Sequence, residues 1–263
     1  MREITAEVTA ADVQRDRLNG RSTLAQERRF YVIASCAVLF ATVVGFHEFL
    51  FHGRGAGGVA IMPQILTVVV IHGLAMLAWV VLLVVQSLLI VGGRRRIHMV
   101  LGQWGAVLAG AIVILGLAVA PLAARYNPAG YEEFGGARYF LALSLTAPVM
   151  FAALVAIGIA YRGRPDVHRA MMLLATVAMM TGSFDRWPYL ERLIAFTHGY
   201  VPLFHWGPML VFGAALFALH AAMTRRPSRW YAVGYGGVVI VTLLSSMVAA
   251  SARWDKLAAL VVP

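Results

Sequence analysis

The sequence predicts an all-α, polytopic transmembrane helical bundle with about seven spans. Only 13% of its 263 residues are charged whereas 60% are hydrophobic, too few charges for the surface of a soluble domain of this length. The apolar runs are long and continuous, as in membrane-spanning helices, and do not alternate as barrel strands do. Arginine clusters end several of these runs and predict which side each loop faces.

The predicted domain organisation follows from these runs. Residues 1–29 are polar, contain no apolar stretch typical of a signal peptide, and are predicted to form a cytoplasmic N-terminal tail. The transmembrane domain is predicted over residues 30–251, followed by an external C-terminal tail over residues 252–263. The predicted spans cover about residues 30–51, 65–91, 98–120, 139–161, 168–184, 201–223 and 230–251.

The basic charge supports this topology. The formal net charge is +10, and the predicted topology places 15 of the 22 Lys and Arg residues on the cytoplasmic side. The 12 acidic residues divide equally between the two sides. The basic excess is therefore an orientation signal with some affinity for anionic headgroups. We expect the lipid bilayer as a partner, and no motif indicates nucleic-acid binding.

The three cytoplasmic loops show a weak internal repeat. His98 aligns with His168 at a spacing of 70 residues, each following an arginine-rich turn. In the third loop Trp230 occupies the histidine position. The pattern predicts one leading helix followed by three hairpins of the same orientation, which argues against an inverted-repeat transporter fold.

A polar and aromatic stripe marks the second span. Trp79 and Gln86 follow His72 at intervals of seven, so all three lie near one helical face, which should point into the bundle. His72 could bind a haem iron or another metal, or donate a hydrogen bond to a quinone. The alternative is an interhelical hydrogen bond that fixes packing.

Three other histidines lie at the ends of spans. His205 lies at a depth similar to that of His72, and two histidines at one depth on different helices suit bis-histidine haem ligation. His98 and His168 could ligate a second cofactor at the cytoplasmic side. The alternatives are an aromatic-belt residue beside Trp206 for His205 and ordinary interfacial residues for the other two.

Charged residues near the external side form the remaining candidates. Glu48 and His52 share one face, and with His72 they could form an external metal site or a hydrated interfacial cluster. Glu48 could also pair with Arg186, whose alternative role is to hold a haem propionate or an anionic substrate. The single cysteine, Cys36, lies in an apolar run and excludes an intramolecular disulfide.

The chain resembles a group of uncharacterised bacterial multi-pass membrane proteins at His72, Trp79 and Gln86, the arginine-rich turn, and His98-x-x-Leu101-Gly102. The resemblance covers most of residues 65–190 and implies location in the bacterial cytoplasmic (inner) membrane. The arrangement is also similar to cytochrome b561 and related membrane haem-b families. That similarity implies haem iron ligation by His98 with His168; because the fourth span has no histidine, the outer pair would be His72 with His205.

These observations lead to three hypotheses of function. The first is a haem-b-binding protein that transfers electrons across the membrane. The second is a non-catalytic subunit or assembly component of a membrane complex with partner subunits, which the shortage of carboxylates within spans favours. The third is a small-molecule transporter, for which the sequence offers no paired interrupted helices.

Overall fold

The structure is a computed structural model, and every regular element in its described residues is an α-helix or a short 3₁₀ turn. It describes residues 2–55, 58, 60–127, 131–132, 135–187 and 201–262. For residues 2–22 and 201–204 it describes the backbone alone. Within these ranges the helices are α1 (Arg2–Gly45), α2 (His47–His52), α3 (Pro63–Val91), α4 (Arg95–Tyr126), α5 (Ala137–Ala160), α6 (Pro165–Ala178), α7 (Thr181–Phe184), α8 (Val201–Thr224), α9 (Arg229–Ala249) and α10 (Ala252–Ala258).

Six of these helices are long and apolar enough to cross a membrane. They are the part of α1 from Thr23 onward, α3, α4, α5, the part of α8 from His205 onward, and α9. The fifth predicted span is different, because the chain forms the 14-residue helix α6, turns at Met179 and Met180, and continues into the four-residue α7. The all-helical multi-pass class is confirmed.

The six long helices form a closed ring. Neighbours follow one another in the order α1, α3, α4, α5, α9 and α8, and α8 packs back against α1. Helix α6 lies inside this ring, against α1, α5, α8 and α9. Its side chains are accordingly the most deeply buried in the core, with Ala170, Leu174, Ala175 and Ala178 fully inaccessible.

Helix α6 begins where the sequence favours a helix start. Pro165 occupies the first turn, where its missing N–H costs nothing, and Asp166 places a carboxylate at the positive end of the helix dipole. After the end of α6, the short helix α7 brings Ser183 against Gly45 of α1 at backbone contact distance. A Cβ at position 45 would overlap the Ser183 carbonyl, so glycine permits this approach.

The bundle has two distinct ends. One, here called the arginine end, carries the turns at residues 92–94, 161–164 and 225–228. The other, here called the opposite end, carries α2, α7 and α10. At the opposite end, α10 docks on the start of α5, where Arg138 Nε donates to the Val262 carbonyl (3.0 Å) and Trp254 Nε1 donates to the Arg138 carbonyl (2.7 Å).

The segment α6–α7 passes from one end of the bundle to the other. Arg169 in the first turns of α6 pairs with Glu27 of α1 at the arginine end. Beyond the break, Ser183 Oγ donates to the Ala41 carbonyl at 2.6 Å near the end of α1. Fourteen residues of α1 separate those two contacts, a rise of about 21 Å.

Candidate functional site

Two histidines meet at the arginine end of the bundle. His98 lies in the first turn of α4 and His168 in the first turn of α6. Their ring centroids are 6.3 Å apart, and the ring planes are nearly perpendicular at 88°. The sequence singled out these two residues as a pair, and the structure brings them together.

A backbone carbonyl orients His168. Its Nδ1 lies 2.8 Å from the carbonyl oxygen of Gly158, which can only accept a hydrogen bond, so Nδ1 carries the proton. This tautomer leaves Nε2 with a free lone pair, as in histidines that bind metals. A Cβ on Gly158 would lie 2.9 Å from Met172 Sδ, so glycine lets α6 approach α5 closely here.

Gln86 of α3 holds the backbone of His98. Its Nε2 donates to the His98 carbonyl at 3.2 Å. A Cβ on Gly102 would lie 3.5 Å from the same nitrogen, an ordinary van der Waals contact, so the amide lies beside this turn of α4. His98 Nδ1 and Gln86 Oε1 are buried without a hydrogen-bond partner among the described residues. The Gln86, His98 and Gly102 pattern in the sequence therefore corresponds to one local packing unit.

The inner pair fits the demands of bis-histidine ligation. A metal that binds one imidazole nitrogen on each side at about 2 Å separates the ring centroids by roughly 6 Å. The observed separation of the ring centroids is 6.3 Å. His168 Nδ1 is hydrogen-bonded to a carbonyl, and His98 Nδ1 is buried without a partner among the described residues. Unpartnered buried polar atoms are costly unless a ligand or water satisfies them.

His72 and Trp79 point into the bundle, as the sequence predicts. Trp79 is 3% exposed, and its Nε1 donates to Thr176 Oγ1 of α6 at 3.0 Å. His72 lies against Gly116 of α4, where a Cβ would come within 3.5 Å of His72 Cε1 and 3.1 Å of Pro148 Cβ. His72 Nδ1 is buried without a hydrogen-bond partner among the residues described.

His205 is paired with a carboxylate. Its Nδ1 lies 3.0 Å from Asp185 Oδ2, and the side chains are only 4% and 11% exposed. Its ring also lies edge-on to Phe140 (5.3 Å) and to Trp206 (4.6 Å). This buried pair joins α8 to the residue that follows α7, a contact that the sequence did not predict because the two residues lie 20 positions apart in the chain.

The predicted outer pair is not brought together in the described part of the chain. His72 lies near Gly116 of α4, whereas His205 contacts Asp185, Phe140 and Trp206. The ring that encloses α6 also places α1 between α3 and α8. The arrangement does not fit a second bis-histidine site on these two residues.

Arg186 lies at the opposite end, close to the bundle interior. Its guanidinium donates to the Gly182 carbonyl and stacks over Phe46, with 4.7 Å from Cζ to the ring centroid. Burial raises the pKa of the nearby Tyr131 phenol, and the positive charge of Arg186 acts in the opposite direction. The predicted Glu48–Arg186 pair is wrong. Glu48 lies instead beside His47 (3.3 Å) and His52 (3.4 Å), the neighbours available on its own short helix.

The sequence missed one charged contact at the arginine end. Arg169 pairs with Glu27, both side chains being about three-quarters buried, and its Cζ lies 5.4 Å from the Tyr31 ring centroid. His220 is buried next to this pair, edge-on to Phe30 at 4.9 Å. Glu27 was assigned to the polar tail, so only its position just before the first apolar run could have drawn attention to it.

Comparisons with protein-family models, curated proteins and solved structures found no match. Within the described residues, no group of three or more His, Cys, Asp or Glu side chains is placed to hold a metal ion. The suggested external site on Glu48, His52 and His72 is therefore not formed there. His98 with His168 remains the arrangement best suited to a cofactor.

Proposed function

We propose that this chain is a haem-b protein of a bacterial cytoplasmic membrane that carries electrons, and that it holds one haem between His98 and His168. The observation that carries this proposal is the meeting of two histidines from different helices at a ring separation of 6.3 Å. A two-haem relay with His72 and His205 is not part of the proposal, because those side chains have separate neighbours.

The two iron ligands are positioned by different neighbours. The Gly158 carbonyl accepts a hydrogen bond from Nδ1 of His168, which fixes the orientation of the ring and leaves Nε2 for the iron. Gln86 acts on His98 through its backbone carbonyl and fixes the first turn of α4. We regard Gly158 and Gln86 as positioning residues because neither would touch the iron.

The polypeptide sets the environment in which the cofactor works. A haem b supplies one-electron exchange between ferric and ferrous iron. With His98 and His168 both holding the iron, no open position would remain for a small ligand, which would favour electron transfer. Arginines close to the pair, among them Arg94, Arg95 and Arg96, provide positive charge that would attract negatively charged propionates.

We further propose that α6 and α7 together form a seventh membrane crossing, with the arginine end in the cytoplasm. Support comes from the end-to-end course of this segment, from Glu27 to Ala41 of α1. The arginine turns between α3 and α4, α5 and α6, and α8 and α9 agree with the positive-inside rule. Seven crossings put the termini on opposite sides of the membrane, and six put them on the same side.

Tags at the two termini test the crossing number. A protease or an impermeant label added to intact spheroplasts should reach a C-terminal tag and leave an N-terminal tag protected. Equal reactivity of both tags in intact cells would refute seven crossings. Permeabilised cells, in which both tags must react, provide the control.

A visible absorption spectrum tests the haem proposal. We expect the protein, purified in detergent from haem-sufficient cells, to show a Soret band and sharp α and β bands after dithionite. The haem-to-protein ratio should be about one, because one histidine pair is formed. A colourless protein would refute the proposal and direct attention to the alternative, a non-catalytic subunit that copurifies with partners.

A further inference from the structure

The turns between α5 and α6 and between α8 and α9 carry five arginines at the arginine end. Their side chains are exposed, and Asp166 is the one acidic residue that the described structure pairs with any of them, 3.6 Å from Arg164. The five are Arg162, Arg164, Arg225, Arg226 and Arg229. This group, called here the two-turn arginine cluster, has no role in the proposed haem site.

An indole ring joins the two turns. Arg164 places Cζ 5.1 Å from the centroid of Trp230, and Arg229 places Cζ 4.7 Å from the same ring. Two guanidiniums on one indole ring hold like charges within reach of each other, an arrangement that is favourable when an anion contacts both. Trp230 Nε1 is buried and has no acceptor among the described residues, so an anionic oxygen would also satisfy this donor.

The backbone of the second turn gives independent support. Arg225 has φ 57°, in the left-handed region where glycine is the usual residue. A long cationic side chain at such a position costs conformational energy. That cost is explained if the side chain itself is needed at this place.

The apolar surface below the cluster decides which anion suits it. Helices α5 and α9 pack together, so their ends beneath the two turns are adjacent. Ile157, Tyr161 and Val233 are exposed on these ends, where acyl chains can lie against them. An anion at this position therefore meets both a basic rim and a hydrocarbon-facing surface, which is the environment of a phospholipid rather than of a dissolved ion.

We propose that the two-turn arginine cluster is a binding site for an anionic phospholipid with two phosphates, of the diphosphatidylglycerol class. One phosphate contacts Arg164 and Arg229 beside Trp230, and the second contacts the arginines at the tip of the second turn. The acyl chains run along the surface formed by α5 and α9. The site clamps the two turns together and thereby the central helix that begins at Pro165.

Lipid titration of the delipidated full-length protein tests this proposal. Cardiolipin added in detergent micelles should bind wild-type protein, with native mass spectrometry reporting occupancy and a thermal shift reporting stabilisation. Arg164→Gln with Arg229→Gln should weaken cardiolipin binding roughly thirtyfold, because each arginine near a lipid surface contributes about 1 kcal/mol. The matched control is Arg28→Gln with Arg29→Gln, which removes the same charge from exposed positions of α1 at the arginine end and should leave affinity within about twofold.

Several results would overturn the site. Equal loss of cardiolipin in the control variant would mean that only overall charge matters. Equal binding of zwitterionic phosphatidylcholine would show that headgroup charge does not determine binding. An equal thermal shift with inorganic phosphate would identify a site for a free ion instead of a lipid. If the double Gln variant does not fold, Arg164→Lys with Arg229→Lys keeps the charge and removes the planar stacking. That variant should weaken cardiolipin binding by about fivefold, and unchanged affinity would refute the proposed geometry.

Discussion

The histidines at the two ends of the α6–α7 segment have different neighbours. At the arginine end, the rings of His98 and His168 lie 6.3 Å apart, and the carboxylate Glu27 is paired with Arg169. At the opposite end, His205 is paired with Asp185, and His72 lies near Gly116 of α4. A histidine with a carboxylate partner is held by the protein, whereas the two adjacent histidines are the ones that we propose as metal ligands. The comparison teaches that similar depth in the membrane does not make two histidines a pair.

The largest effect expected from this comparison concerns the cofactor. His168→Ala should abolish the low-spin haem spectrum, because an axial ligand is lost while the rest of the bundle is unchanged. His205→Ala is the matched control at the opposite end and should retain the spectrum. Reduced-minus-oxidised difference spectra and haem-to-protein ratios provide the measurement. Loss of haem in His205→Ala with retention in His168→Ala would reverse the assignment.

The second prediction concerns the stability of the opposite end. Asp185→Ala should lower the free energy of unfolding by about 3 kcal/mol, because it leaves a buried His205 nitrogen without its partner. Asp255→Ala removes an exposed carboxylate 3.4 Å from Arg138 and should cost less than about 1 kcal/mol. Equilibrium unfolding in mixed micelles measures both. Similar values for the two variants would show that the Asp185–His205 pair is not buried in solution.

The third prediction returns to the arginine end. A double-mutant cycle of Glu27→Gln and Arg169→Gln should give a coupling energy of about 1–2 kcal/mol, since each side chain is partly accessible to water. The same unfolding assay applies, and raised ionic strength should reduce the coupling only slightly. A coupling near zero would indicate that α1 and α6 are held together by apolar packing alone.

The smallest effect is expected for Gln86. Gln86→Leu removes one hydrogen bond to the His98 carbonyl and should cost about 1 kcal/mol of stability, with haem retained. The readout for positioning is the electron paramagnetic resonance spectrum, whose g values should shift as the imidazole changes orientation. Ser87→Ala is the control, because Ser87 Oγ bonds only within its own helix, to Leu83, and should leave the g values unchanged.

The class of fold could be predicted from the sequence because apolar runs and arginine turns report directly on membrane helices. The break in the fifth predicted span could not, since no proline lies between His168 and Met179 and the turn accompanies the docking of α7 against Gly45. In the first span, a similar turn at Phe46 separates α2 from α1. Both features depend on contacts between segments that are distant in the sequence, and helical periodicity carries no information on such contacts.

Part of the candidate site could be predicted from the sequence. The shared position of His98 and His168 in two hairpins indicated a pair, and the structure places them together. Gly158 as the carbonyl partner and Asp185 as the partner of His205 required the packing of four helices to be known. Similar depth in the membrane suggested that His72 pairs with His205. Depth, however, fixes only one of the three coordinates of a side chain, and the positions within the membrane plane remained unknown.

The closed ring around α6 has a consequence for biogenesis. The ring closes only when α8 and α9, which follow residue 200, pack against α1 and α5, which are synthesised earlier. Until α8 and α9 have been inserted, one flank of α6–α7 has no protein wall: Asp185 lacks His205, and Met171 and Leu174 lack the helix face at Gly234. A chain that stops before Val201 is therefore expected to be recognised by membrane quality control as incomplete, however well its first four long helices insert.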